Sequence, residues 1–277
     1  MRSSDLRRLT AFGLIAFFLS WSYWLVVIAS LRGWIAMAVP LTPFGALGPA
    51  MAALLVSIAT GGRQGAAGLL RRLGPQGATW RTVAIAFVSW PLLVGGALAV
   101  TAVRDSALGS ASAFSWRILP LAFVEVLLFT SIGEELGWRG FGLPVLLRRT
   151  RPAVATLAVG GIWAAWHLPL FWIPNTVQAS IPLPYFVLSI LAASALYTAL
   201  FLHSQPSVLP ALLMHTTQDV SLAAVQLAWP RAAASSTFWL AYFWLLVVLG
   251  VVTAFMMELR YQGARSFRTN VTELGEG

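Results

Sequence analysis

The chain has no cysteine among its 277 residues, which excludes disulfide staples, thiolate nucleophiles and cysteine-ligated metals. It also has no lysine, so all eighteen basic residues are arginine, set against nine acidic residues. Charge as a whole is scarce. Only 10% of residues are charged, where soluble domains carry about 25%. What fills the space is apolar: 58% of residues are hydrophobic and the mean hydropathy is +0.79. A water-soluble globule is excluded by this balance, and a lipid bilayer is the partner it calls for. The net charge of +9 would point a soluble protein toward nucleic acid. In a membrane protein, the gathering of arginine in cytoplasmic loops accounts for it, and no nucleic-acid partner is expected.

A spanning helix needs roughly 20 apolar residues, and eight runs qualify, at about 11–31, 38–59, 80–102, 118–147, 153–174, 183–203, 207–229 and 236–257. They predict an all-α polytopic bundle of about eight transmembrane helices, filling residues 1–277 as one integral membrane domain. The first run follows Arg2, Arg7 and Arg8, as a signal peptide does, but it is too long for one. Pro40, Pro43 and Pro49 interrupt the second run, and the fifth must tolerate Pro169. With the N-terminus in the cytoplasm, fourteen arginines fall inside and four (Arg32, Arg104, Arg117, Arg231) outside. That asymmetry predicts both termini in the cytoplasm, in a cell membrane and, from the arginine-only, alanine-rich composition, a bacterial inner membrane. Residues 61–79 place Leu69, Leu70 and Leu73 beside Arg71 and Arg72, which reads as an amphipathic helix on the inner leaflet or as a solvated loop.

Four of the nine acidic residues, Glu125, Glu134, Glu135 and Asp219, lie inside these runs, as do His167 and His215. Ionisable groups are costly inside a membrane and mark function by default. Measured along helices at 1.5 Å per residue, Glu134 lies roughly 20 Å from the cytoplasmic end, His167 roughly 21 Å, and His215 and Asp219 roughly 12 and 18 Å. Four groups from three helices thus reach similar depth. Spacing adds order, because His215 with Asp219, Glu135 with Arg139 and Trp163 with His167 are each i, i+4 pairs that share a helix face. The adjacent Glu134 and Glu135 point about 100° apart. Glu135 with Arg139 reads as a structural ion pair, which leaves Glu134 to face His167, His215 and Asp219. Two chemistries fit such a set. One is a divalent-metal site at Glu134, His167, His215 and Asp219, with a metal such as zinc. The other is metal-free water activation with Glu134 as general base. Glu125 lies nearer the outer side and receives no role. Trp138, Trp163 and Trp166 are candidates for a substrate groove or for plain packing.

Glu134-Glu135-Leu-Gly-Trp-Arg139, Trp163-x-x-x-His167 and His215-x-x-x-Asp219 resemble the EExxxR, FxxxH and HxxxN/D motifs of the CPBP intramembrane proteases. That group includes CAAX prenyl endopeptidases and the bacteriocin-processing or Abi proteins. The resemblance covers about residues 118–222, and the stretch Thr42 to Pro49 also looks like the family's second-helix region. It implies an intramembrane endopeptidase in which Glu134 and His167 activate water, His215 and residue 219 stabilise the oxyanion, and Glu135 and Arg139 support the site. It also implies a peptide or protein substrate, in some members lipid-modified, reaching a site opened toward the cytoplasmic half. Asp219 is the departure, because an asparagine amide donates to an oxyanion whereas an ionised aspartate only accepts. Two other classes share these residues. A proton-coupled transporter uses midplane Glu, His and Asp as relays, although its broken helices commonly recur in both halves. A non-catalytic immunity or scaffold protein of the same family would carry the same motifs.

Overall fold

The computed structural model describes residues 3–105 and 115–275, with side chains over 4–105 and 115–263. Eight long helical segments dominate it: α1 (Ser3–Leu31), α2 (Gly48–Leu70), α3 (Trp80–Asp105), α4 (Trp116–Leu147), α5 (Pro152–Trp166), α6 (Leu183–Leu202), α7 (Leu209–Ala228) and α8 (Ser236–Gly275). Seven of them are long and apolar enough to cross a membrane. The eighth, α7, has span length but carries His215, Thr216, Thr217, Gln218 and Asp219 in a row, which lowers its hydropathy. Its place is the bundle interior, packed against α3, α4 and α6. This is an all-α multi-pass membrane bundle.

Local chemistry sets the segment ends. α1 closes on Gly33 at φ 69°, with Trp34 N–H donating to Ala29 C=O at 2.9 Å and Gly33 N–H to Ser30 C=O at 3.0 Å. That is a Schellman ending, which glycine adopts without strain. The prolines near residue 43 do not break α2 but start it, through a 3₁₀ turn over Pro43–Leu47, since proline is tolerated in a first turn. The expected amphipathic stretch is helical as well. The chain bends at Gly62 (φ 57°, ψ −152°) and runs on through Leu70 into a short 3₁₀ turn, Arg71–Leu73. Helix α5 does not run through Pro169, as its sequence suggested. It stops at Trp166, and Leu168–Trp172 is a 3₁₀ turn, because proline disfavours α geometry in the residue before it.

The segments alternate between two ends of the bundle. Asp5 of α1 pairs with Arg148 and Arg149 beyond α4 at 3.1 and 3.2 Å, Arg151 pairs with Glu258 of α8, and Val208 N–H donates to Arg72 C=O. These contacts define a basic end that holds both the start of α1 and the later part of α8. At the opposite end Asp105 accepts from Ser235 and Thr237. Of the fourteen arginines assigned to one side, Arg139 is 0% exposed within the bundle and is no loop charge. Arg2 and the side chains of Arg265 and Arg268 lie outside the described residues.

Small residues draw the helices together. A Cβ on Gly133 would stand 2.4 Å from Ala46 O, and one on Gly137 2.5 Å from Pro49 Cβ. This four-residue glycine spacing on α4 lets the start of α2 approach backbone to backbone. It fixes α4 at the level of the two glutamates. Gly250 does the same for α8, where a Cβ would meet Ala192 Cα of α6 at 2.6 Å.

Candidate active site

Glu134 and Glu135 occupy one α-helical turn of α4, Ile132–Gly137, between two π-helical turns at Val126–Ser131 and Trp138–Gly142. Each π turn adds a residue to the helical repeat and so shifts the face on which later residues lie; such bulges concentrate at functional sites. Both carboxylates end up inside, at 3% and 0% exposure, yet they meet different partners. Glu135 Oε1 accepts from Arg139 Nη1 at 3.0 Å and from His215 Nδ1 at 2.9 Å. The Arg139 guanidinium lies 4.4 Å from the Trp163 ring centroid and 4.8 Å from that of Tyr197, a cation held between two aromatic faces. This half of the site is closed and filled. The ion pair read from the i, i+4 spacing is present, and it also reaches across to α7 and holds His215.

The other half is open. Glu134 Oε2 accepts from the Trp163 indole N–H at 2.5 Å, which leaves Oε1 for a substrate. His167 caps the C-terminus of α5 and donates from Nδ1 to Trp163 C=O at 2.8 Å, so Nε2 carries the lone pair of the neutral ring. Glu134, His167, His215 and Asp219 all line one cavity of about 500 Å³, within the ~300–1,000 Å³ usual for ligand pockets. The four residues that the depth argument grouped thus share one cavity. Asp219 stands 3.7 Å from His215 Nε2 with its side chain 34% exposed; at that distance it is a neighbour of the ring, not a hydrogen-bond partner.

The cavity extends to Leu41–Pro43, Asn175–Val177 and Trp239, which belong to the end opposite the arginines. Two expectations therefore exclude each other: the arginine-rich end cannot be cytoplasmic while the site opens toward the cytoplasmic half. Trp163 and Trp166 line the cavity, as a substrate groove requires. Trp138 does not; it packs edge-on against Phe12 at 5.4 Å and Trp166 at 5.9 Å. Glu125 is exposed and away from the cavity.

A divalent metal at Glu134, His167, His215 and Asp219 was one of the two chemistries the sequence allowed. Among the described residues, no three His, Asp or Glu side chains are gathered closely enough to hold a metal ion. Glu134 Oε2 is engaged by Trp163, whereas the Nδ1 bonds of the two histidines leave each Nε2 open, so it is the spacing that argues against a cation. The residues as placed do not fit a resident cation.

Two side chains at the site escaped the sequence reading. Tyr197 of α6 is fully buried, stacks on His215 at 5.8 Å and donates its hydroxyl to Gln218 Oε1. A tyrosine amid the apolar run of α6 was the available signal, since a buried phenol must find a partner. Gln218 lines the cavity, and with its carbonyl oxygen held by Tyr197 its amide N–H groups remain free.

Residues 115–221 match the family described as Type II CAAX prenyl endopeptidase Rce1-like. The match covers the motif-bearing segment and less than half of the chain. The chain is also similar to the "CAAX prenyl protease 2" of Methanococcus maripaludis, 33% identical over 108 residues, which is 37% of this chain and 39% of that protein. The chain thus aligns with about two fifths of the relative's length. The matched segment contains Glu134, Glu135, Arg139, His167, His215 and Asp219, whereas α1, α2, α3 and α8 lie outside the match.

Proposed function

We propose that this protein is a CAAX-type intramembrane endopeptidase that hydrolyses a peptide bond with water activated by Glu134 and His167. The observation that carries the reading is the shared cavity, in which a buried carboxylate with one free oxygen and an imidazole with a free Nε2 face the same space. Glu134 Oε1 takes the proton of a water positioned by His167 Nε2, and the hydroxide oxygen bonds to the peptide carbonyl carbon. Negative charge then develops on the carbonyl oxygen. With its ring protonated, His215 supplies an N–H at Nε2, and the carboxyl groups of Glu135 and Asp219 lie beside its two nitrogens. Gln218 adds the neutral amide donor that an ionised Asp219 cannot provide. When the C–N bond breaks, the proton held by Glu134 passes to the leaving amine.

The apolar walls favour an extended peptide carrying an apolar or lipid-modified residue. The relative's name supplies the specific candidate, a prenylated CAAX end. With the arginine-rich end facing the cytoplasm of a bacterial inner membrane, the cavity faces the far side, and the peptide enters from there. The test is cleavage of a cysteine-prenylated CAAX peptide and its unprenylated twin by the purified protein in detergent, with bound metal determined on the same sample. Turnover by wild type and none by Glu134→Ala is expected; equal cleavage by both sinks the reading. Sidedness is tested by labelling single cysteines at Gln76 and Ala179, exposed at opposite ends. Reagent added outside intact cells should reach only position 179.

A further inference from the structure

We propose that the basic end of the bundle contains a binding site for an anionic phosphate, separate from the candidate active site and independent of the protease reading. A second cavity, of about 210 Å³, lies between the first turns of α1, the bent end of α2 and the last turn of α4. Its volume is well above the ~10–15 Å³ that a single enclosed water needs. Arg8, Arg72 and Arg148 line it together with Gln64, Gly68 and Phe141.

Three guanidiniums around one small cavity repel one another unless an anion lies between them. Arg148 donates to Asp5 at 3.1 Å, but that carboxylate is shared with Arg149. Among the described residues Arg8 and Arg72 form no ion pair. Arg8 is fixed by stacking 5.5 Å from the Phe141 centroid, and its Nε is buried with no hydrogen-bond partner. A buried charged donor without an acceptor is costly, and an acceptor with several oxygens relieves that cost. Arginine's planar fork suits phosphate oxygens in pairs.

The fold assembles this site from distant sequence. The bend at Gly62 needs a positive φ, and it carries Gln64 to Arg72 to the ends of α1 and α4. After the bend the backbone approaches so closely that a Cβ on Gly65 would lie 2.3 Å from Ser57 O. Arg8, Arg72 and Arg148 are therefore brought together only by tertiary structure. The phosphate has two sources, the headgroup of an anionic phospholipid in the adjoining leaflet, as basic pockets between membrane helices take, or phosphate free in solution.

The full-length protein in neutral detergent is titrated with inorganic phosphate, against chloride at matched ionic strength, while its thermal unfolding midpoint is followed. In parallel it is reconstituted in nanodiscs of phosphatidylcholine alone and of an equal phosphatidylcholine–phosphatidylglycerol mixture, and the retained lipid is counted by native mass spectrometry. A rise of the midpoint with phosphate identifies the soluble source. Retained phosphatidylglycerol without a phosphate response identifies the lipid. In either case Arg8→Gln and Arg72→Gln should each weaken binding by about tenfold, the worth of one charge-assisted hydrogen bond, while Arg63→Gln, an exposed arginine outside the cavity, changes nothing. Should Arg8→Gln fail to fold, Arg72→Gln decides alone. Binding no stronger than in the chloride control, or equal binding by wild type and Arg72→Gln, overturns the proposal.

Discussion

Glu134 and Glu135 are neighbours in sequence and equally buried, yet they belong to opposite halves of the site. Glu135 is paired with Arg139 and His215, and Arg139 is itself held between the rings of Trp163 and Tyr197. Glu134 touches one indole and otherwise faces the large cavity. The contrast shows how a membrane bundle handles ionisable groups at depth. Where charge is compensated by charge and aromatic faces, the group holds helices in register. Where a hydrogen-bonding atom is left over beside empty space, as the second oxygen of Glu134 is, the group is available for chemistry. The two cavities differ in the same way, one with free acceptors at Glu134 and His167, the other with a free donor at Arg8.

The comparison predicts different consequences for neighbouring substitutions. Glu134→Gln should lower turnover by roughly 100- to 10,000-fold, the contribution of a positioned general base, with the unfolding midpoint in detergent unchanged. Undiminished cleavage would place Glu134 with Glu135 in the structural half. Arg139→Met should act the other way round and destabilise the fold by about 3 kcal/mol, because it leaves the buried Glu135 carboxylate with His215 as its remaining partner. A variant as heat-stable as wild type but inactive would move Arg139 to the chemical half.

Smaller effects refine the boundary between the halves. Glu135→Gln keeps an acceptor oxygen but removes its charge, so a loss of about 1–3 kcal/mol of stability is expected, read again from thermal unfolding. Gln218→Glu replaces the free amide donor with an acceptor. It should lower kcat with little change in KM, by roughly 100-fold if it acts as a full oxyanion donor; a change confined to KM would make Gln218 a substrate-binding wall. The mildest prediction is Asp219→Asn. Standing 3.7 Å from His215 and a third exposed, Asp219 can be replaced by a neutral donor with activity retained or raised. A loss of activity that added zinc repairs would restore the metal chemistry which the donor positions do not favour.

The sequence by itself determined the solvent, the class of fold and the four titratable residues that meet in the cavity. The reasons are strong and local: the bilayer demands long apolar helices, and it makes every buried charge conspicuous. Spacing at i, i+4 was enough to pair Glu135 with Arg139, because that contact lies within one helix. What crosses between helices was legible only in the tertiary structure. The bond from His215 to Glu135, the enclosure of Arg139 by Tyr197 of another helix and the choice of Trp163 over Trp138 as a cavity wall all depend on how α4, α5, α6 and α7 are rotated against one another. Those rotations follow from the π turns of α4 and from glycines whose missing Cβ atoms admit a neighbouring backbone. The direction in which the cavity runs, away from the arginines, was likewise decided by packing, since no single helix contains it.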